Sequence, residues 1–315
     1  MSEAFFCNRV RSSRSHTILA ALFAGSILLL APRPSAAGPI VYGMYGGLGG
    51  HQNGDSSNDG SLAMIDPSTG AVTVIGHPSG VSRLSGLVFD LTGNLYGATQ
   101  GSFPYPPVTP PGASDLVTID PSTGALVAAI GVIMDGATPI NISDLAMQPG
   151  TGTLYGVRGP NDGLNGQGRL YTINEQTGAA TLVGDTLSFF DSIAFAPNGT
   201  LYLSAADLDF NTGNTINPRL QTLNPANANV LTTVATSEFY GALGIRPGDG
   251  LIFAGNGDRA QLFTLNPTTG AETLVGSTGR TFVGDIDFLV PEPASIALTG
   301  LGALGLALWK IRRRK

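Results

Sequence analysis

Most of this chain is written in short apolar runs separated by polar turns rich in Gly, Asn and Asp. Leu87-Val88-Phe89 and Leu95-Tyr96-Gly97 flank the turn Asp90-Leu91-Thr92-Gly93-Asn94. The figure returns at Leu145 to Gly156, at Ile193 to Leu203 and at Leu243 to Ala254. Paired apolar runs around a Gly-bearing turn predict β-hairpins.

A second figure lies between these hairpins. Ile65-Asp66-Pro67-Ser68-Thr69-Gly70-Ala71 recurs as Ile119-Asp120-Pro121-Ser122-Thr123-Gly124-Ala125. Weaker copies start at Ile173 and Leu265, and the most worn one runs Leu223-Asn224-Pro225-Ala226-Asn227-Ala228-Asn229. Asp or Asn opens the turn, Pro presets φ at the next position, and Gly supplies a left-handed residue before the second strand. Copies about fifty residues apart point to a propeller or another repeat architecture.

Each unit thus carries four strands, a to d, with a–b and c–d joined by the two turns. Strand a is expected near residues 86–90, 143–148, 191–196, 241–246 and 284–289. The first b strand, Ile40 to Gly46, has no a strand before it, and the last a strand has no b after it. Each end supplies what the other lacks. The expected fold is an all-β, five-bladed β-propeller over residues 38–290, closed by the N-terminal strands pairing with the C-terminal strand. Closure removes the open edges of a sheet. Four b–c connections read as long loops: Gly47–Gly60, Gln100–Ser114, Gly159–Gly168 and Ala206–Pro218. Their gathering on one face marks either a binding face or drift in unconstrained loops.

The ends differ from the body. Residues 1–37 read as a signal peptide. Arg9, Arg11 and Arg14 precede an apolar run, and Ser35-Ala36-Ala37 offers small residues for signal peptidase cleavage after Ala37. Residues 291–315 open with Pro291-Glu292-Pro293, continue through an uncharged stretch from Ala294 to Trp309, and end on Lys310-Ile311-Arg312-Arg313-Arg314-Lys315. As a helix this stretch reaches roughly 24 Å, short of a ~30 Å hydrocarbon core. Transient membrane insertion through residues 294–309 is expected, with the basic end on the cytoplasmic side.

Two resemblances follow from these residues. The repeated hairpins make the body similar to propellers with NHL-type and YVTN-type repeats. The Pro-Glu-Pro, apolar helix and Arg-rich end closely resemble the PEP-CTERM sorting signal of Gram-negative, exopolysaccharide-producing bacteria. That resemblance implies recognition of Pro291, Glu292 and Pro293 by an exosortase, with Arg312, Arg313 and Arg314 as the retained basic end. It further implies export across the inner membrane and delivery to the cell surface or extracellular matrix.

Charge and chemistry narrow the reading. Between Gly38 and Val290 stand 7 Arg, no Lys and 20 acidic residues, a balance of −13. Such a body repels nucleic acid and anionic lipid. The only cysteine is Cys7, inside the signal segment, so the mature chain offers no disulfide. No Gly-x-Ser-x-Gly, His-Glu-x-x-His or phosphate loop occurs, and no catalytic residue is assigned. Three weaker candidates remain. Asp207, Asp209 and Asn211 place hard oxygen ligands at alternate positions, as Ca²⁺ prefers. Asp144, Asp191 and Asp285 begin three a strands and are candidate channel acids. Phe103, Tyr105 and Phe210 sit on loops where they either stack on sugar rings or cover a core edge. The sequence therefore points to a non-enzymatic secreted or surface protein with a structural or adhesive role among exopolysaccharide. The alternatives are a calcium-dependent ligand-binding propeller and a lactonase-like, metal-dependent hydrolase.

Overall fold

The five copies of the repeated turn share one backbone geometry in the computed structural model. It describes residues 40–43, 60–81, 83–99, 113–158, 168–256, 259–279 and 284–289. The Asp66 N–H donates to Ala71 O, and the Gly70 N–H returns to Asp66 O, both at 2.8 Å. Asp66 Oδ1 accepts the Ser68 N–H at 2.7 Å. Asp120, Asn174, Asn224 and Asn266 make the same bonds. An Asx side chain accepting from two residues on sets the turn locally, before any strand partner is needed. Ala228 holds the left-handed position in the worn copy, at φ 59°.

These turns lay strands side by side in four-stranded antiparallel meanders. The first sheet holds β1 (Ile40–Gly43), β2 (Leu62–Ile65) and β3 (Val72–Gly76). The second holds β4 (Leu84–Phe89), β5 (Leu95–Thr99), β6 (Asp115–Ile119) and β7 (Leu126–Val132). A short hairpin, β8 (Met134–Asp135) and β9 (Thr138–Pro139), precedes the third sheet. That sheet comprises β10 (Asp144–Met147), β11 (Leu154–Arg158), β12 (Arg169–Ile173) and β13 (Ala179–Asp185). The fourth comprises β14 (Phe190–Phe195), β15 (Leu201–Leu208), β16 (Thr215–Leu223) and β17 (Val230–Ala235). The fifth comprises β18 (Ala242–Ile245), β19 (Ile252–Asn256), β20 (Gln261–Leu265) and β21 (Glu272–Ser277). The last strand, β22 (Asp287–Phe288), pairs with β1 through Ile40↔Phe288 and Val41↔Asp287, so the first sheet runs β22-β1-β2-β3. The described residues are all β, without an α-helix, in a propeller arrangement.

Burial falls from the first strand of a meander to the last. All six residues of β4 are buried, whereas β7 has none. Five apolar clusters lie between successive sheets. One joins Val88 and Tyr96 of the second sheet to Leu145 and Tyr171 of the third. Another joins Phe253 and Leu262 of the fifth to Ala63, Ile65 and Phe288 of the first. A sheet with two apolar faces cannot bury both alone, so each meander depends on a neighbour on either side.

Two features depart from the sequence reading. Residues 206–218 are mostly not a loop. β15 and β16 run on into that stretch and close on Asp209–Asn214. In addition, the β8–β9 hairpin crosses to the third sheet and pairs with β13 in parallel, Ala179↔Met134 and Ala180↔Asp135. The other three long connections lie mostly outside the described residues.

The repeated turn also locks neighbouring sheets. The Gly124 turn of the second sheet sits against Gly76, the last residue of β3 in the first. A Cβ on Gly76 would lie 2.0 Å from the Thr123 carbonyl oxygen. The same meeting recurs at each step. Gly178 lies against Val132, the Asn227 carbonyl against Gly184, Gly270 against Ala235, and Gly276 against the Thr69 carbonyl. Backbone meets backbone there, with no side chain able to yield. Gly124→Ala therefore meets both an unfavourable φ of +70° and a Cβ 2.7 Å from Gly76 C. Gly80→Ala, at φ +79° in open space, meets only the first. Thermal denaturation should show Gly80→Ala costing about 1 kcal/mol and Gly124→Ala roughly 1–3 kcal/mol more. Equal losses would mean the close approach carries no energy.

Candidate functional site

The innermost strands β4, β10, β14, β18 and β22 align through their pairing registers, with Phe89, Met147, Phe195, Ile245 and Phe288 at one level. Counting back three residues puts Gly86, Asp144, Ser192, Ala242 and Asp285 at a second level. Counting back one puts Val88, Ala146, Ala194, Gly244 and Asp287 at a third. Each innermost strand has one edge without a ladder partner, so its N–H groups need acceptors from elsewhere. Carboxylates supply several. Asp144 Oδ2 accepts the Ser192 hydroxyl at 2.6 Å and the Ile193 N–H at 2.7 Å, and Oδ1 accepts the Leu145 N–H. Asp285 Oδ2 accepts the Leu87 N–H at 2.7 Å, and Oδ1 accepts the Ile286 N–H. Asp287 Oδ2 accepts the Phe89 N–H at 2.6 Å. These acids stitch β22 to β4 and β10 to β14.

Asp144 and Asp285 also lie close enough for each carboxyl to act on the other's protonation. Gly86 stands at their level on β4, which packs against both β22 and β10. A Cβ there would lie 2.7 Å from the Leu145 nitrogen and 3.0 Å from Asp144 Cα. Both carboxyls are buried, and burial pushes both pKa values up. Asp285 is driven further by the negative Asp144 beside it, so it keeps the shared proton. Burial raises Asp287 to about 7. It raises Asp191 to about 6, against the hydroxyls of Ser188 and Thr186 that bond its carboxylate.

Beside this acidic layer lies a cavity of about 290 Å³. All five innermost strands line it, with Leu87, Met147, Phe195, Ile245 and Phe288 among its walls. Leu91, Pro149, Pro197 and Pro247, from the a–b turns, complete the lining on one face. Among the described residues of the lining Asp287 is the only ionisable one, and it keeps some exposure to solvent. Sequence reasoning missed this site. The available signal was Asp287 itself, an acid where the other four repeats carry Val, Ala, Ala and Gly.

The sequence candidates fall out unevenly. Asp144 and Asp285 come together, and Asp287 joins them. Asp191 sits one position earlier in its strand and turns to Ser188 and Thr186 instead. Asp207 lies in β15, ion-paired with Arg219 at 3.0 Å and bonded by the Asn217 amide. Asp209 opens a turn with the bonds of the repeated motif. Its N–H donates to Asn214 O, the Gly213 N–H returns to it, and Oδ1 accepts the Asn211 N–H. Asp209-Phe210-Asn211-Thr212-Gly213 is thus a sixth copy of that turn. Among the described residues no group of three or more His, Cys, Asp or Glu is placed to hold a metal ion. Phe210 is exposed and meets Phe189 edge-on, with ring centroids 5.6 Å apart. Phe103, Tyr105, Ala37, Pro291, Glu292, Pro293 and Arg312 to Arg314 lie outside the described residues.

Residues 289–314 match the PEP-CTERM protein-sorting motif. The chain is thereby marked for export and exosortase-dependent sorting to the surface of a Gram-negative cell. None of the curated proteins compared with the sequence matches it. Among solved structures, the body is similar to TolB from Acinetobacter baumannii, at 13% identity and TM-score 0.45, over 90% of this chain and 75% of that one. It is similar to a protein of unknown function from Bacteroides caccae, at 11% identity and TM-score 0.45, over 81% of this chain and all of that one. A third likeness is the Dos1 propeller, at 10% identity and TM-score 0.38, over 70% of this chain. The chain spans just 66% of that propeller's length.

The buried acids carry a consequence for stability. Their folded pKa values stand above the ordinary carboxylate value of 3.8. Between that value and about 7 the folded chain binds more protons than the unfolded one, so stability is full in acid and falls as pH rises. Thermal unfolding should move to lower temperature from pH 5 to pH 8. Asp287→Asn keeps an acceptor for the Phe89 N–H and should flatten part of that slope. An unchanged slope would mean Asp287 ionises as it does in water.

Proposed function

We propose that this chain is a non-enzymatic surface protein, exported through a signal peptide over residues 1–37 and sorted by an exosortase. Its body, residues 38–290, is a closed five-bladed propeller with a structural or adhesive role in an extracellular polysaccharide matrix. One observation carries the reading. The sorting motif begins at residue 289, directly after β22, the strand that pairs with β1. Processing at Pro291-Glu292-Pro293 therefore leaves every described strand with the body. Five sheets and five inter-sheet clusters, one between the fifth sheet and the first, support the closed ring.

Replacing Pro291, Glu292 and Pro293 with Ala should leave the chain in the inner-membrane fraction of an exosortase-bearing host. The parent should reach the surface or medium there, and accumulate in the membrane of a host lacking exosortase. Equal surface delivery of parent and variant would sink the sorting assignment. Ring closure has its own test. Deleting Ile40–Gly43 removes the partner of β22 and β2. The expected result is loss of a single cooperative unfolding transition, and a deletion variant as stable as the parent would refute closure.

A further inference from the structure

We propose that the axial cavity binds a small apolar organic amine, its hydrocarbon part against the inner-strand walls and its ammonium group on the Asp287 carboxylate. The inference does not rest on the export reading. It starts from the repeat. At the level of Asp287 the other strands carry Val88, Ala146, Ala194 and Gly244, so the fold itself asks for a small apolar residue. An acid there is costly, because a carboxylate among apolar groups needs a countercharge or full hydrogen bonding. The Phe89 N–H engages Oδ2, and the Phe288 N–H also bonds the carboxylate. A carboxylate has about four lone-pair sites, so acceptor capacity remains, and the other described residues of the lining carry no charge.

The cavity's chemistry selects the ligand. Its volume of about 290 Å³ is at the lower edge of the ~300–1,000 Å³ range of small-molecule sites. Leu, Met, Ile, Phe and Pro walls favour hydrocarbon. Phe89, Phe195 and Phe288 put aromatic rings in the lining, a residue type that attracts a cation over its face. A bare metal ion is a poor match, since the described residues of the lining supply one carboxylate and no other ionisable ligand. An anionic ligand would meet Asp287 with Asp285 and Asp144 close behind it. Burial raises the Asp287 pKa, and an ammonium group beside it would favour the ionised form.

The test is isothermal titration of the full chain, held in lipid nanodiscs, with cyclohexylmethylamine, cyclohexylmethanol and cyclohexanecarboxylate, against blank nanodiscs. The amine should bind at least tenfold more tightly than the isosteric alcohol, and the carboxylate should not bind. Asp287→Asn should bring amine and alcohol within about twofold of each other. Ala194→Phe should fill the cavity and abolish binding of both. Circular dichroism checks that each variant keeps the parent's β spectrum. Should Asp287→Asn fail to fold, Asp287→Val imports the residue that β4 carries at this level and serves instead. Equal binding of amine and alcohol by the parent would overturn the proposal, as would tight amine binding that survives loss of Asp287. No binding of the amine to the parent at millimolar concentration would overturn it too.

Discussion

Sheet meets sheet in this body at points where no side chain fits. A Cβ on Gly276 would stand 1.9 Å from the Thr69 carbonyl oxygen, and one on Gly76 would stand 2.0 Å from that of Thr123. Such contacts fix the distance between the outer part of one sheet and the turn of the next within a few tenths of an ångström. Apolar packing alone does not, because Leu, Val and Ile side chains tolerate repacking. The repeated Asp-Pro-Ser-Thr-Gly-Ala turn therefore does two jobs. Its Asp and Gly shape a hairpin, and its backbone seats that hairpin on the preceding sheet. Near the axis the same spacing problem is solved differently. There Asp144, Asp285 and Asp287 reach across to N–H groups of the neighbouring strand.

That division explains what was legible in the sequence. Hairpins were legible because their signals are local, an Asx residue, a Pro and a Gly within six positions, flanked by apolar runs. The isolated b strand at Ile40 was legible because a repeat makes a missing member visible. The β15–β16 extension was not. Ala206 to Pro218 is rich in Asp, Asn and Thr, which reads as loop, yet it forms a polar two-stranded ribbon whose turn copies the repeat. Alternate oxygens at Asp207, Asp209 and Asn211 come from strand and turn geometry, and Arg219 already faces Asp207. Read as a copy of Asp-x-x-Thr-Gly, the segment would have announced a hairpin.

The cavity was illegible for another reason. No single segment contains it. Each innermost strand adds a few apolar residues that look like ordinary core, and in isolation Phe89 or Phe195 is indistinguishable from the packing residues beside it. Only superposing the five registers shows that their ends stop short of filling the axis, and that one level carries an acid in a single copy. The face with long connections read equally as a binding face and as drift in unconstrained loops. The cavity lies instead at the short a–b turns, where Leu91, Pro149, Pro197 and Pro247 line it.

The geometry of the chain end ties these observations together. Phe288 lines the cavity and Leu289 is the first residue of the sorting motif. Two residues later comes Pro291, and the chain leaves β22 at the level where the other innermost strands enter their a–b turns. Four residues, 290 to 293, separate Leu289 from the apolar stretch. Fully extended they span about 14 Å. Cleavage at that motif would cut the chain within a few residues of the cavity wall. If the intact tail restricts the cavity, amine association is slower in the nanodisc-held chain than in chain recovered after cleavage.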